Sequence, residues 1–183
     1  MDNTTQTVLI ELDQETRNKQ LDRAKSWFDN VLLTQTSYRK LLEDTVDKIE
    51  EPHIKMYLAE MAGQEIKHEE RTRELFSLID REPSDVRHLL GEVAGKARQA
   101  LGDFIAVAGG TKGPWQDLHQ LYLSNHNSMG AFAVAEQLGL ALGIPRIAEI
   151  AFMVVAEKST SQLLLQECVL EMCSMSILYK EDF

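Results

Sequence analysis

Two residues of metal-binding type lie three positions apart in the first half of the chain. Glu65 and His68 form a Glu-x-x-His pair, and this spacing places both side chains on one face of a helix. A carboxylate and an imidazole on one face can reach the same divalent cation. The alternative interpretation is a solvated, charged helix face, because Lys67, Glu69 and Glu70 surround the pair.

The other His and Cys residues favour structural roles. His119 and His126 are seven positions apart, so they share one face of a predicted helix, where they either pack partly buried or form a row of ligands. Cys168 and Cys173 lie five positions apart in an apolar helix, cannot bridge each other there, and are typical of small core residues. No spacing indicates nucleophilic catalysis, so the sequence favours a protein that is not an enzyme.

Charge and composition exclude several classes of function. The 183 residues include 29 acidic and 19 basic side chains, for a net charge of −10, which argues against a partner with a phosphate backbone, such as a nucleic acid. The N-terminal residues show no signal-peptide pattern, and no run approaches the roughly 20 apolar residues of a membrane span. Two Cys make no disulfide framework. We therefore expect a cytoplasmic protein that does not bind membranes.

Four prolines divide the chain into helical segments. They recur every 31 residues, and proline is tolerated in the first turn of a helix. The apolar spacing predicts five helices, at 26–50, 52–80, 84–108, 114–142 and 145–179. A polar N-terminal segment, 1–25, precedes them, and its part from about 12 to 25 is either a short helix or an extension of the first. The prediction is an all-α protein with one domain, 26–183, arranged as an up-down bundle.

The second half of the chain is much less charged than the first. Residues 129–142 and 147–156 are apolar nearly all round, and a helix that is apolar on every face is buried on every face. One bundle of this size cannot bury both helices so fully. We therefore predict a homodimer through the helices at 114–142 and 145–179. In the alternative, the third helix and the N-terminal segment cover these surfaces within one chain.

Two stretches carry a resemblance to a known superfamily. They are SYRKLLEDTVDKIEEPHIKMYLAEMAGQEIKHEERTRELFSLI and AVAEQLGLALGIPRIAEIAFMVVAEKSTSQLLL. Over about residues 26–180 the chain resembles the ferritin-like superfamily, in particular its YciE/YciF-type stress-protein branch, and more loosely rubrerythrin-like bundles. The resemblance implies a four-helix bundle with an additional crossover helix, and a di-iron site in its centre.

The ligands of such a site match this sequence only in part. Glu65 and His68 match the Glu-x-x-His of the second helix, and Glu157 begins the corresponding motif of the last helix. Gln35 stands near the expected first-helix Glu, and Thr160 stands in the position of the second His. The implied di-iron motif is therefore degenerate.

The remaining Glu of the pattern would lie near Ser124, where His126 is the one strong ligand type nearby. The candidate metal ligands are Glu65, His68, Glu157 and His126. Three or four ligands suit one ion better than an iron pair. In the absence of a metal, we expect Glu65 and His68 to form a polar network with Glu157 and Thr160.

Three functions remain open from the sequence. The favoured one is a stress-related, non-catalytic bundle that acts as a homodimer and has no resident cofactor. The second is an oxidoreductase or iron-handling protein that uses iron or another divalent metal. The third is a binding domain for a small apolar ligand, held in the bundle core near residues 130–143, where glycines leave room between helices.

Overall fold

Four long helices make up nearly all of the described chain. The computed structural model describes residues 13–85 and 113–179. Its helices are α1 (Gln14–Val46), α2 (Pro52–Ser77), α3 (Pro114–Ala141) and α4 (Pro145–Ser174), and a π-helical turn (Met175–Tyr179) follows α4. These two ranges contain no strand. The all-α prediction is confirmed for them. The predicted crossover helix at 84–108 lies outside the described residues except for Ser84 and Asp85, which are not helical.

Proline and an acidic cap explain where the helices begin. Pro52, Pro114 and Pro145 each open a helix, as predicted. The first helix, however, begins at Gln14 and not at Ser26, so that prediction is wrong. Asp13 caps it, because its carboxylate accepts a hydrogen bond from the Thr16 amide at 2.8 Å. Residues 14–25 are therefore an extension of the first helix.

The helices form two antiparallel hairpins that pack side by side. Short connections join α1 to α2 and α3 to α4, and α1 packs against α3 while α4 packs more lightly against α2. Contacts at both ends of each interface show that all neighbouring helices are antiparallel, for example Lys48 with Asp117 and Trp27 with Ala131. The diagonal helices α2 and α3 consequently run in the same direction.

A polar layer separates two apolar parts of the core. One apolar cluster contains Phe28, Phe76 and Phe132, and the other contains Tyr38, Leu118 and Leu165. Seven buried polar residues lie between them: Gln35, Glu65, His68, Asn125, Ser128, Lys158 and Ser161. Burying polar groups is unfavourable unless they find partners, so this layer is the place to look for function. Within the described residues, no helix is long and apolar enough to span a membrane.

Candidate functional site

Each helix contributes at least one side chain to the centre of the bundle. We call Gln35, Glu65, His68, Asn125 and Lys158 the polar centre; all five are fully buried. They continue the buried stripe of their own helix, so the helical repeat that buries the apolar residues also brings these five together.

A buried ion pair joins the two hairpins. Nζ of Lys158 lies 2.6 Å from Oε2 of Glu65. The side-chain amide of Gln35 donates to the same oxygen at 2.6 Å and to the Glu65 carbonyl at 3.2 Å. Burial alone would raise the pKa of Glu65, but hydrogen bonding to His68 and the charge of Lys158 bring that pKa below its usual value. Glu65 is therefore a carboxylate at neutral pH.

The ammonium of Lys158 is surrounded by groups from other helices. It lies 4.3 Å from the centroid of the Tyr38 ring, within the range of a cation–π contact, and 3.5 Å from Oδ1 of Asn125. The Asn125 amide also donates to the Lys158 carbonyl at 3.1 Å and to Gln162 at 2.8 Å. Burial lowers the pKa of Lys158, and the Glu65 carboxylate opposes that effect.

His68 connects the ion pair to the edge of the bundle. Its Nε2 lies 2.7 Å from Oε2 of Glu157, and its Nδ1 lies 3.2 Å from Oε2 of Glu65. Glu157 is 41% exposed and accepts a second hydrogen bond from Arg71 at 2.8 Å. Burial would raise the pKa of Glu157, but the hydrogen bonds from His68 and Arg71 lower it below the usual value. Glu157 therefore closes the outer side of His68.

The structure brings together three of the four residues predicted as metal ligands. Glu65, His68 and Glu157 are in contact, whereas His126 is exposed on the outside of α3. His126 follows Asn125, and one residue along a helix turns the side chain by about 100°, so Asn125 faces the centre in its place. The expectation that His126 completes the ligand set is corrected accordingly.

The network expected in the absence of a metal joins Glu65, His68 and Glu157 but does not include Thr160. Thr160 is exposed and lines a cleft of about 200 Å³ between α2 and α4. Ser161, one position further, is buried. On α4, the pair at the core positions is thus Lys158 and Ser161, one residue later than the expected Glu157 and Thr160.

Periodicity was the signal that could have identified Lys158. Buried positions of α4 recur every three or four residues through Val154, Lys158, Ser161 and Leu165. Lys158 is in phase with them, and Glu157 is not. The same test selects Asn125 on α3, which lies between the buried residues Leu121 and Ser128.

The residues of the polar centre do not fit a metal ion. Glu65 is the only carboxylate among the five, and a cationic ammonium already lies 2.6 Å from it. Glu157 is held by His68 and Arg71 at the edge. Throughout 13–85 and 113–179, no three or more His, Cys, Asp or Glu side chains are placed to hold an ion. Two divalent ions need several carboxylates for charge balance, and these residues do not supply them.

Comparisons with known proteins add no assignment to this geometry. No family model matches the chain, and neither the curated proteins nor the solved structures contain a significant match to it.

Proposed function

We propose that this protein is a non-catalytic, ferritin-like helical bundle that acts as a homodimer, with the outer faces of α3 and α4 as the interface. The observation that carries the proposal is a row of exposed apolar side chains along α4. The ferritin-like fold is supported by the antiparallel neighbours and by the common direction of the diagonal helices α2 and α3.

The polar centre supports a role without catalysis. Its carboxylate and its ammonium neutralise each other, and both are fully buried. A catalytic acid, base or metal has to reach a substrate, and neither charged group of the pair has a surface through which it could do so. The centre therefore acts as part of the scaffold that holds the four helices together.

The exposed apolar row has the geometry of a helix-packing surface. Phe152, Leu163 and Leu170 are between 56% and 66% exposed. Leu163 and Leu170 are seven residues apart, and Phe152 lies within about 20° of both around a helix of 3.6 residues per turn. Large contiguous apolar patches on a protein surface mark sites of association.

The neighbouring face of α3 has the same character. Between Asp117 and the end of α3 the only charged residue is Glu136. Gly130 faces outward, and a Cβ at that position would meet nothing within 4 Å. A helix from a second copy could approach α3 closely there without burying a charged side chain of α3, because none lies within five residues of Gly130.

Sedimentation equilibrium of a charged variant tests the homodimer. We expect Leu163→Glu/Leu170→Glu to sediment as a monomer at concentrations where the wild type is a dimer, because the interface would bury two carboxylates without partners. The matched control is Met56→Glu/Ile66→Glu, which charges two residues of α2 with exposure of 51% and 49%. A monomeric wild type, or equal dissociation of both variants, would overturn the proposal.

The geometry favours neither of the other two functions considered. An oxidoreductase needs a metal or another redox group, and the polar centre does not fit a metal. A binding domain for an apolar ligand needs space near residues 130–143, but a Cβ at Gly139 would lie 2.8 Å from the Ile147 side chain. Gly139 therefore serves close packing of α3 on α4, and Gly130 lies on the outer face.

A stress-related role and a cytoplasmic location complete the proposal. The first derives from the resemblance to the YciE/YciF-type branch. The second is supported by Cys168 and Cys173, which are both free thiols and are thus compatible with a reducing compartment.

A further inference from the structure

We infer that the ammonium of Lys158 acts as a built-in cation at the point where polar side chains from all four helices meet. We further infer that exchanging this one residue for Glu creates a site for a divalent transition-metal ion. This inference is independent of the homodimer. It rests on the arrangement of the polar centre, on a buried carboxylate oxygen that makes no hydrogen bond, and on charge.

Both hairpins contribute side chains to the centre from each of their helices. In the first hairpin, α1 supplies Gln35 and α2 supplies Glu65 and His68, three residues apart. In the second, α3 supplies Asn125 and Ser128, and α4 supplies Lys158 and Ser161, also three residues apart. The hydrogen bonds Gln35–Glu65 and Asn125–Lys158 join residues 30 and 33 positions apart. Four helices therefore enclose one point, and the ammonium lies there.

Metal-ligand donor atoms belong to the residues around the ammonium. Oε1 of Glu65 is buried and makes no hydrogen bond, and Nδ1 of His68 has its one contact with Oε2 of the same carboxylate, at 3.2 Å. Buried polar atoms without partners are uncommon and call for an explanation. Carboxylate oxygen and imidazole nitrogen are the donors that Zn²⁺, Mn²⁺ and Fe²⁺ accept. Oδ1 of Asn125, 3.5 Å from the ammonium, is a further oxygen donor within reach.

Charge explains why Lys158 excludes a metal ion and why Glu would admit one. In the wild type the Glu65 carboxylate and the Lys158 ammonium sum to zero, so a divalent ion would leave the core positively charged. With Lys158→Glu, two buried carboxylates face each other and repel. A divalent ion neutralises both, and its binding is then linked to folding.

The test compares Lys158→Glu with Lys158→Gln, which has nearly the same shape and no charge. Each variant and the wild type are stripped with chelator, mixed with ZnCl₂ or MnCl₂, passed through a desalting column, and measured for metal content and melting temperature. We expect one additional ion per chain in Lys158→Glu and a melting temperature that rises with metal concentration. Lys158→Gln and the wild type should match each other, including any ions on surface His residues.

Two results of this comparison would overturn the inference. One is equal metal content in a folded Lys158→Glu and in Lys158→Gln, because the new carboxylate would then create no site. The other is binding of an ion by the wild type that Glu65→Gln abolishes, because the ammonium would then not exclude a metal.

A Lys158→Glu variant that does not fold even with metal would overturn the metal-site part of the inference, and a second measurement tests the counter-charge part by itself. Lys158→Met removes the built-in cation, and Glu65→Gln/Lys158→Met removes both charges. If Lys158 acts as the counter-charge of Glu65, the double variant regains most of the melting temperature that Lys158→Met loses. A double variant as unstable as Lys158→Met would overturn the inference.

Discussion

The two hairpins of this bundle carry their charges very differently. Helices α1 and α2 contain 11 and nine charged residues, whereas α3 and α4 contain two and six. Inside the bundle both hairpins supply buried polar side chains to the same layer, from all four helices. The fold thus determines which positions of the helices face inward. The outer surface of the first hairpin contacts water, whereas the apolar outer surface of the second contacts, as we propose, a second copy of the chain.

Ion pairs nevertheless connect the two hairpins along the length of the bundle. Besides the buried pair, Arg71 contacts Glu157, Arg146 contacts Glu74, and His53 contacts Glu171. These three pairs are partly or largely exposed, so each contributes little to stability. The few charged residues that the second hairpin retains are largely used for contact with the first.

The largest effect that we predict from this comparison concerns close packing in the second hairpin. Gly139→Ala places a Cβ 2.8 Å from the Ala148 amide nitrogen and the Ile147 side chain, so we expect a loss of about 1–3 kcal/mol in the free energy of unfolding. Gly63→Ala is the control, on α2 in open space and outside the proposed interface, and should gain about 0.4–1 kcal/mol. Urea denaturation at one protein concentration measures both, and shifts of the same sign would contradict the packing assigned to Gly139.

A smaller effect is expected for the ion pairs of the first hairpin. Arg39 donates to Glu69 at 2.9 Å and to Glu43 at 2.6 Å, and its side chain is mostly shielded from solvent. Arg39→Gln should lower the free energy of unfolding by up to about 1 kcal/mol, less at high salt. Lys19→Gln removes the largely exposed pair with Glu15 and serves as control. Denaturation at two salt concentrations compares them, and equal losses would show that Arg39 stabilises no more than a surface pair.

The smallest effect concerns pH and the contact of Glu157 with the first hairpin. The pKa of Glu157 is lowered in the folded protein, so its contribution to stability is present above pH 4.5 and is lost as the pH falls through the folded pKa. Glu157→Gln should therefore be less stable than the wild type at pH 6, and the difference should shrink by pH 3. Thermal melts across this range measure it. A constant difference would mean that the carboxylate charge is not what stabilises this contact.

Much of the fold could be predicted from the sequence because proline and apolar spacing act locally. Pro52, Pro114 and Pro145 fix three helix starts, and these predictions are confirmed. The start of α1 was missed because Ser26 is a good capping residue by type, yet its hydroxyl bonds the carbonyl of Asp22 within a continuing helix. Only Asp13, with its bond to Thr16, shows where the cap is.

The candidate site could be predicted only in part, for a reason of chemistry. Glu65 and His68 were found because both are ligand types at a recognised spacing. Lys158 was passed over because an ammonium cannot bind a metal, so a search for ligands selected Glu157 beside it. A buried lysine is unfavourable by itself, and only the three-dimensional contact with Glu65 shows how its charge is balanced.

The buried ion pair also limits how the two hairpins can slide along each other. Apolar layers of similar width tolerate a shift by one helical turn, about 5.4 Å, with little change in buried area. Such a shift would separate the Lys158 ammonium from Glu65 and leave two unpaired charges inside the protein, which is strongly unfavourable. This single contact, between residues 93 positions apart, therefore selects one axial alignment of the hairpins over its nearest alternatives.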